Sequence, residues 1–187
     1  MLVMRELSRG DISTVNSWRA DPELISCLGA PYRYIGLEVD EAWFDSYLAS
    51  RGNTVRCAVV DDGRPEEILC LVTLAGIDWV HGVATLHIMI GGSENRGKGV
   101  GTFAVGSMLS HAFDDLGLYR VELDVLAENA PAIGLYRKMG FSLEGTKREA
   151  AFKSGRRVDV HEMAILEREW RARDSNRVGV SSERAPE

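Results

Sequence analysis

A glycine-rich loop with two cations is the part of this sequence best suited to chemistry. Residues 91–101 hold five glycines together with Arg96 and Lys98. An apolar run, Leu86–Ile90, precedes the loop and is typical of a buried strand, while apolar residues at helical spacing follow it. Glycine lets an anion approach backbone N–H groups closely, and the start of a helix carries a partial positive charge. The order strand, loop and helix therefore predicts an anion site, and we expect the anion to be a phosphate.

Three known phosphate-binding motifs match this loop in part. Residues 92–98 follow the start of a P-loop, but Gly99 stands where that motif needs a serine or threonine for magnesium. Residues 99–104 fit the dinucleotide fingerprint G-x-G-x-x-A, and Glu122 lies a little over twenty residues later. However, a dinucleotide-binding domain usually starts with this unit, whereas about ninety residues precede it here. The third match is R-x-x-G-x-G, over residues 96–101.

A second pattern lies downstream and favours the third motif. Residues 129–141 spell N-x-x-A-x-x-x-Y-x-x-x-G-F with every position filled, after an alternating strand at residues 120–126. Together with the R-x-x-G-x-G loop, this pattern resembles the GCN5-related N-acetyltransferase (GNAT) family. The resemblance covers residues 3–167 and is greatest to the spermidine, ribosomal-protein alanine and amino-sugar N-acetyltransferases. It implies that the bound phosphate is the pyrophosphate of acetyl-CoA.

The resemblance also implies which residues bind acetyl-CoA, with the end of the Leu86–Ile90 strand pairing with pantetheine. The predicted contacts are Ile88, Met89, Ile90, Arg96, Gly97, Lys98, Gly99, Val100, Gly101, Thr102, Asn129, Ala132, Tyr136 and Lys138. Asn129 has a second interpretation, because asparagine before Ala130 and Pro131 is also a good helix cap. We predict no metal cofactor.

Acetyl transfer to nitrogen requires a neutral amine to attack the thioester carbonyl, yet an alkyl amine with a pKa of ~10.4 is mostly protonated at pH 7. A general base removes this proton, and a general acid protonates the leaving thiolate. Tyr136 fills the position whose hydroxyl faces the coenzyme sulfur in similar enzymes, and we predict it as the acid. A tyrosine between Leu135 and Met139 on an amphipathic helix is also a common core residue.

The general base is less clearly marked. Similar polyamine enzymes often have a glutamate at the position that matches Thr85, and a threonine cannot take up this proton at neutral pH. His87 lies two residues further along the same face of the strand and titrates in the useful range. His87 is therefore our candidate base, beside two alternatives: a histidine of the core, or deprotonation through water with no dedicated base.

The acceptor pocket is expected between the loop at residues 26–34 and the turn at residues 152–157. The residues predicted to line it are Tyr32, Tyr34, Trp43 and Thr85. Asp21 and Glu23 would attract a cationic amine, whereas a basic late hairpin would suit a phosphorylated acceptor such as a nucleotide-linked amino sugar. The cations of this hairpin are Lys147, Arg148, Lys153, Arg156 and Arg157. Both charge sets also fit solvated surface, so the sequence leaves the acceptor open.

These residues require an α/β fold to position them. The sequence predicts a strand, two helices, three strands, the loop with its helix, a strand, the motif helix and two strands. This is the GNAT order, which implies a mixed, mostly antiparallel sheet of about six or seven strands, flanked by helices and splayed at the central strand to hold acetyl-CoA. We expect Asp11 to cap the first helix, residues 21–34 to be irregular, and the second helix to span about Val39 to Ser50. We also expect one domain over residues 1–170 and a polar, flexible tail over residues 171–187.

Composition limits the partners. The net charge of −6 at pH 7 argues against nucleic acid as a partner. The sequence has no apolar run of transmembrane length and no signal-peptide core, so we predict no membrane partner and a cytoplasmic location. Cys27, Cys57 and Cys70 are expected to be reduced thiols of the core. Similar proteins are often dimers, which allows a homodimer or a higher homo-oligomer here.

Together these features predict an acetyl-CoA-dependent N-acetyltransferase that acts on a primary amine of a small molecule, of amino-sugar or polyamine type, by direct attack in a ternary complex. One alternative is acetylation of the N-terminal α-amine of a ribosomal or other protein. Another is a non-catalytic protein that binds acetyl-CoA, which Thr85 in place of glutamate favours and Tyr136 opposes. A Rossmann-type oxidoreductase is the third, and the position of the glycine motif in the middle of the chain opposes it.

Overall fold

Seven strands form one sheet, and helices cover both of its faces. The computed structural model describes residues 1–173. Within this part of the chain the strands are β1 (Leu2–Glu6), β2 (Val55–Asp61), β3 (Arg64–Asp78), β4 (Val83–Ile90), β5 (Arg120–Leu126), β6 (Ser142–Lys153) and β7 (Arg156–Leu166). The helices are α1 (Ile12–Arg19), α2 (Pro22–Ser26), α3 (Leu37–Ala49), α4 (Val100–Ser110) and α5 (Ala130–Met139). Residues 167–173 form a further helical segment.

The sheet separates at its centre. The strand order is β1-β2-β3-β4-β5-β7-β6, and each neighbouring pair is antiparallel except β4 with β5. β4 and β5 pair in parallel over a short stretch that ends at Thr85 and Glu122. Beyond it, β4 continues along β3 to Ile90, while β5 continues along β7 to Leu126. This arrangement confirms the predicted mixed α/β fold, including the splay at the central strand.

Side chains that alternate along the strands divide the apolar residues between two cores. The larger core lies against α4 and α5 and contains the fully buried Phe113 and Leu86. The smaller core lies against α1 and α3 and contains Val15, Phe44 and Met89. β4 therefore contributes alternate residues to the two faces, and the even-numbered residues of this strand face α4 and α5. Its odd-numbered residues face the side of α1 and α3.

The segment at residues 21–34, predicted to be irregular, contains the short helix α2. Asp21 caps this helix, because its carboxylate accepts hydrogen bonds from the N–H groups of Glu23 at 2.9 Å and Leu24 at 3.3 Å. Pro22 at the first helical position has a backbone already suited to a helix start. The prediction of an irregular segment was therefore wrong at residues 22–26, where Asp21 and Pro22 are both typical of a helix start.

The sequence predicts that Asp11 caps α1, but its side chain makes no capping hydrogen bond to this helix. Its carboxylate accepts two hydrogen bonds from the Arg5 guanidinium, at 2.8 Å each, and one from the Ser8 N–H at 2.7 Å. Burial raises the pKa of Asp11, but the hydrogen bonds from Arg5 and Ser8 outweigh burial and hold the pKa below its ordinary value. A buried carboxylate needs such charged and polar partners, and they take the place of capping.

The structure also differs from the sequence prediction at two segment boundaries. α3 spans Leu37–Ala49 and thus begins earlier than the predicted Val39. The predicted tail begins inside the helical segment at residues 167–173, and the remainder of that tail lies outside the described residues. Within residues 1–173, no helix has both the length and the apolar character that a membrane span needs. That residues 1–170 form one domain remains a prediction.

Candidate active site

Three glycines of the loop, Gly92, Gly97 and Gly99, have φ angles in the left-handed region. Gly97 and Gly99 have φ angles of 73° and 85°, which residues with a Cβ rarely adopt. Gly99 directly precedes α4 as its N-cap, so the first N–H groups of this helix point toward the loop. Gly101 lies in the first turn of α4, and its contact with the coenzyme remains a prediction. A Cβ there would come within 2.9 Å of Leu135 and 3.1 Å of Ile90, so Gly101 serves close packing.

Other predicted coenzyme contacts lie on both sides of this loop. β4 runs past the splay point at Thr85 to its last residues, Ile88–Ile90, and leads directly into the loop. Arg96 and Lys98 are exposed within the loop, and Val100 and Thr102 belong to the first turn of α4. Exposed cations beside N–H groups at a helix start suit a pyrophosphate. These residue assignments remain predictions.

Asn129 caps α5, as predicted. Its side-chain oxygen accepts a hydrogen bond from the Ala132 N–H at 3.2 Å, and its Nδ2 donates to the Cys27 carbonyl at 2.9 Å. The side chain thus joins the start of α5 to the segment that follows α2. Its contact with pantetheine stays a prediction, as does that of Lys138, which is exposed in the last turn of the helix.

Tyr136 lies on the inner face of α5 and is only 6% exposed. Its ring centroid is 5.7 Å from that of Phe141. Burial, with a smaller effect of the nearby Cys70, raises the pKa of Tyr136 to about 12. The phenol therefore keeps its proton at any physiological pH, as a general acid must. Tyr136 is a core residue by packing and a suitable proton donor by chemistry, so the two interpretations of this residue are compatible.

A row of polar side chains crosses the sheet on the α3 side of β4. Arg56 on β2 pairs with Thr73 on β3, and Thr73 pairs with His87 on β4. Extending the parallel register by two residues beyond Thr85 and Glu122 places His87 opposite Asp124 across the splay. Arg56 thus lies on one side of His87, and a carboxylate lies on the other.

His87 is exposed, so it is not a histidine of the core. Partial desolvation lowers the pKa of His87, Asp124 opposes this shift, and Arg56 lowers the pKa further. The imidazole is therefore neutral at pH 7 and able to accept a proton. Its role as the base remains a prediction, and deprotonation through water remains the alternative.

If His87 accepts the proton, replacing it by glutamine is expected to lower kcat/KM for the acceptor by about tenfold at pH 8. This loss is smaller than the roughly 10²-fold or more that is typical of general base catalysis, because water can substitute for His87. The ratio of wild-type to His87→Gln activity should fall toward one as the pH drops through the lowered pKa of His87, since the charged ring cannot accept a proton. Arg56→Met removes a cation that lowers this pKa, so the fall should move to higher pH. pH profiles of kcat/KM measure both effects, and a ratio that does not change with pH would exclude His87 as the base.

The aromatic residues predicted to line the acceptor pocket do not form one wall. Tyr32 and Tyr34 pack edge to face at 5.4 Å on an exposed loop, and Tyr34 is 95% exposed. Trp43 lies on α3, where the guanidinium carbons of Arg19 and Arg56 lie 4.6 and 4.2 Å from its ring centroid. Of these three aromatic residues, Trp43 is next to the polar row, because its ring stacks against Arg56.

Several cations of the late hairpin have partners within the protein. Lys153 Nζ donates to the Ile25 carbonyl at 3.0 Å and to the Ala30 carbonyl, and so fastens the loop that follows α2. The Arg156 guanidinium pairs with Glu128, and Lys147 pairs with two carboxylates described below. Three of the five hairpin cations thus have partners within the protein, so the hairpin is less basic toward a ligand than its sequence indicates.

An acidic cavity of about 210 Å³ lies where β4 and β5 separate. It is lined by Thr85, Arg120, Glu122, Leu123, Asp124, Glu144, Lys147, Glu162 and Met163. Four carboxylates thus face two cations. Thr85 and Lys147 are the members that the sequence analysis considered for the acceptor site, Lys147 as a cation for a phosphorylated acceptor. Within residues 1–173, no group of three or more His, Cys, Asp or Glu side chains is placed to hold a metal ion, and the lack of a metal cofactor stays a prediction.

The fold is close to that of a solved acetyltransferase. The crystal structure of spermidine N-acetyltransferase from Vibrio cholerae, in complex with CoA and spermine, superposes with a TM-score of 0.83 at 28% identity, over 90% of this chain and 97% of that one. In sequence, the spermidine N(1)-acetyltransferase of Vibrio cholerae serotype O1 is 31% identical over 170 residues, which cover 90% of this chain and 95% of the relative. The spermidine N(1)-acetyltransferase of Escherichia coli K12 is 37% identical over 102 residues, 54% of each chain.

Fold, site and relatives together define an N-acetyltransferase that uses acetyl-CoA as its co-substrate. A model of the acetyltransferase (GNAT) domain matches residues 1–142. The chain belongs to the GNAT acetyltransferase family, which confirms the resemblance found in the sequence.

Proposed function

We propose that the protein transfers the acetyl group of acetyl-CoA to a primary amine of a polyamine-type small molecule, by direct attack in a ternary complex. The acidic cavity carries this proposal. Its four carboxylates exceed its two cations, so it attracts ligands with several ammonium groups. The spermidine acetyltransferases that this chain resembles support the same acceptor class.

In the proposed reaction the glycine loop and the start of α4 bind the pyrophosphate of acetyl-CoA, and pantetheine enters the splay along Ile88–Ile90. The amine approaches from the side of the polar row, and His87 or a water takes its proton. The nitrogen then attacks the thioester carbon, whose oxygen is polarised by a backbone N–H of β4. The carbon–sulfur bond breaks as Tyr136 protonates the thiolate, and CoA leaves as a free thiol.

Two of the three cysteines favour direct attack over an acyl-enzyme intermediate, whereas Cys27 is exposed and does not lie in the core as predicted. Cys70 is fully buried near Tyr136, and burial raises the pKa of its thiol. Burial, with Glu6, also raises the pKa of Cys57 to about 11. A thiol held in its neutral form is a poor nucleophile. Within residues 1–173 all three cysteines are free thiols, which supports a reducing compartment such as the cytoplasm.

Release of free thiol from acetyl-CoA tests the proposal against spermidine, a nucleotide-linked amino sugar, an aminoglycoside and a peptide that starts with alanine. We expect the highest kcat/KM with spermidine and mass-spectrometric detection of acetylated product. A higher kcat/KM with any of the other amines would reject the polyamine as acceptor, and the protein would still be an N-acetyltransferase. Tight acetyl-CoA binding without turnover of any amine would favour a non-catalytic protein.

A further inference from the structure

One cation of the acidic cavity already occupies the kind of position that an acceptor ammonium needs. Lys147 on β6 places its Nζ 2.8 Å from Glu162 Oε1 and 3.2 Å from Asp124 Oδ2. Asp124 and Glu162 are paired residues on β5 and β7, so their carboxylates lie side by side on one face of the sheet. The hydrogen bonds that Lys147 donates to Glu162 and Asp124 raise its pKa, so the lysine is held as an ammonium ion.

The other cation of the cavity is held more firmly. The Arg120 guanidinium donates to both carboxylate oxygens of Glu144, at 2.8 and 2.5 Å, and to Glu122 at 3.0 Å. A two-pronged guanidinium contact resists displacement. Lys147 instead bonds through a single atom at the end of a flexible stem, and its side chain is 46% exposed. Exposed pairs of this kind contribute little to stability, so Lys147 can leave at little cost.

The carboxylates that hold this lysine lie on the same side of the sheet as His87. Asp124 lies opposite His87 across the splay, and Glu162 lies one further strand away, about 4.8 Å in a paired sheet. An acceptor that reacts beside His87 and carries a second ammonium group across the splay therefore meets Asp124 and then Glu162. Arg56, on the opposite side of His87, repels that ammonium group and directs it toward β5 and β7.

We propose that Lys147 is a specificity residue whose ammonium occupies, in the free enzyme, the position taken by the second ammonium of the acceptor. This inference rests on the proposed function. A polyamine must displace the Lys147 side chain from Asp124 and Glu162, whereas a monoamine has no group to place there. Lys147 thus weakens the binding of polyamines and leaves the binding of monoamines unchanged.

Lys147→Met tests this directly. We expect the KM for spermidine to fall by about threefold to tenfold at low salt, since the two carboxylates become free for the substrate. The KM for propylamine should stay within about twofold of wild type, and the reduction for spermidine should shrink at high salt. Two controls test whether the effect comes from the cation in the cavity. Lys147→Arg keeps a cation there, and Arg64→Met removes a remote cation that is paired with Glu67. Both variants should retain the wild-type KM for spermidine.

Titration calorimetry with spermidine in the absence of acetyl-CoA separates the inference from the proposed function. We expect Lys147→Met to bind spermidine more tightly than wild type by the same factor. An unchanged or higher Kd, or an equal gain in Arg64→Met, would overturn the role of Lys147. Lack of spermidine turnover by the wild type would reject the proposed acceptor, and the calorimetric comparison would still decide whether Lys147 holds the cation site.

Discussion

Tyr136→Phe is expected to lower kcat by about 10²-fold and to leave the KM for acetyl-CoA within about twofold of wild type. The hydroxyl group is the only part removed, and its pKa of about 12 keeps it protonated in the wild type. The ring contact with Phe141 at 5.7 Å is retained, so the variant should fold normally. Steady-state kinetics with acetyl-CoA and spermidine measure the effect.

Tyr119→Phe is the matched control for Tyr136→Phe. Tyr119 is 46% exposed directly before β5, so loss of its hydroxyl should leave kcat unchanged. A Tyr136→Phe variant with the kcat of wild type would show that solvent, and not Tyr136, protonates the thiolate. A rise in the KM for acetyl-CoA with unchanged kcat would assign Tyr136 to coenzyme binding alone.

Arg19→Met is expected to lower the free energy of unfolding by about 3 kcal/mol. Asp40 on α3 is fully buried, and its carboxylate accepts hydrogen bonds from Arg19 on α1 at 2.5 Å and from Asn16 at 2.8 Å. Loss of the guanidinium leaves a buried carboxylate with Asn16 as its remaining recorded partner. Urea denaturation measures the change.

Arg9→Met serves as the control, because Arg9 and Asp45 form an ion pair that is more than half exposed on each side. We expect this variant to lose less than about 1 kcal/mol. Adding Asp40→Asn to Arg19→Met should recover part of the lost stability, since the uncompensated charge is then removed. Equal destabilisation by Arg9→Met and Arg19→Met would contradict the assignment of a buried charge to Asp40.

Local sequence was sufficient to predict the loop and helix starts on which the proposed coenzyme contacts lie. The glycine loop and the segment at residues 129–141 each carry their chemistry within a few consecutive residues. Cap and turn preferences act over the same short range, so Gly99 before α4 and Asn129 before α5 could be recognised without a fold. The exception is Gly101, whose close neighbours Leu135 and Ile90 come from other elements.

The acidic cavity, which we propose as the acceptor side, could not be predicted in the same way. Asp124, Glu144 and Glu162 are far apart in the sequence and meet only through the register of β5, β7 and β6. A change of one residue in that register would move each carboxylate to the opposite face. The alternation of Arg120, Glu122 and Asp124 along one strand was a usable signal, because a strand with charges at every second position has one polar face.

The splay between β4 and β5 affects the stability of the folded protein. Beyond Thr85 and Glu122, β4 and β5 do not pair with each other within the described chain, so the sheet contains an internal edge of the kind that lowers local stability. A ligand that binds only the folded protein stabilises it, by about 2.7 kcal/mol at a concentration one hundred times its Kd. We therefore expect acetyl-CoA to slow proteolysis of the protein as well as to serve as its co-substrate.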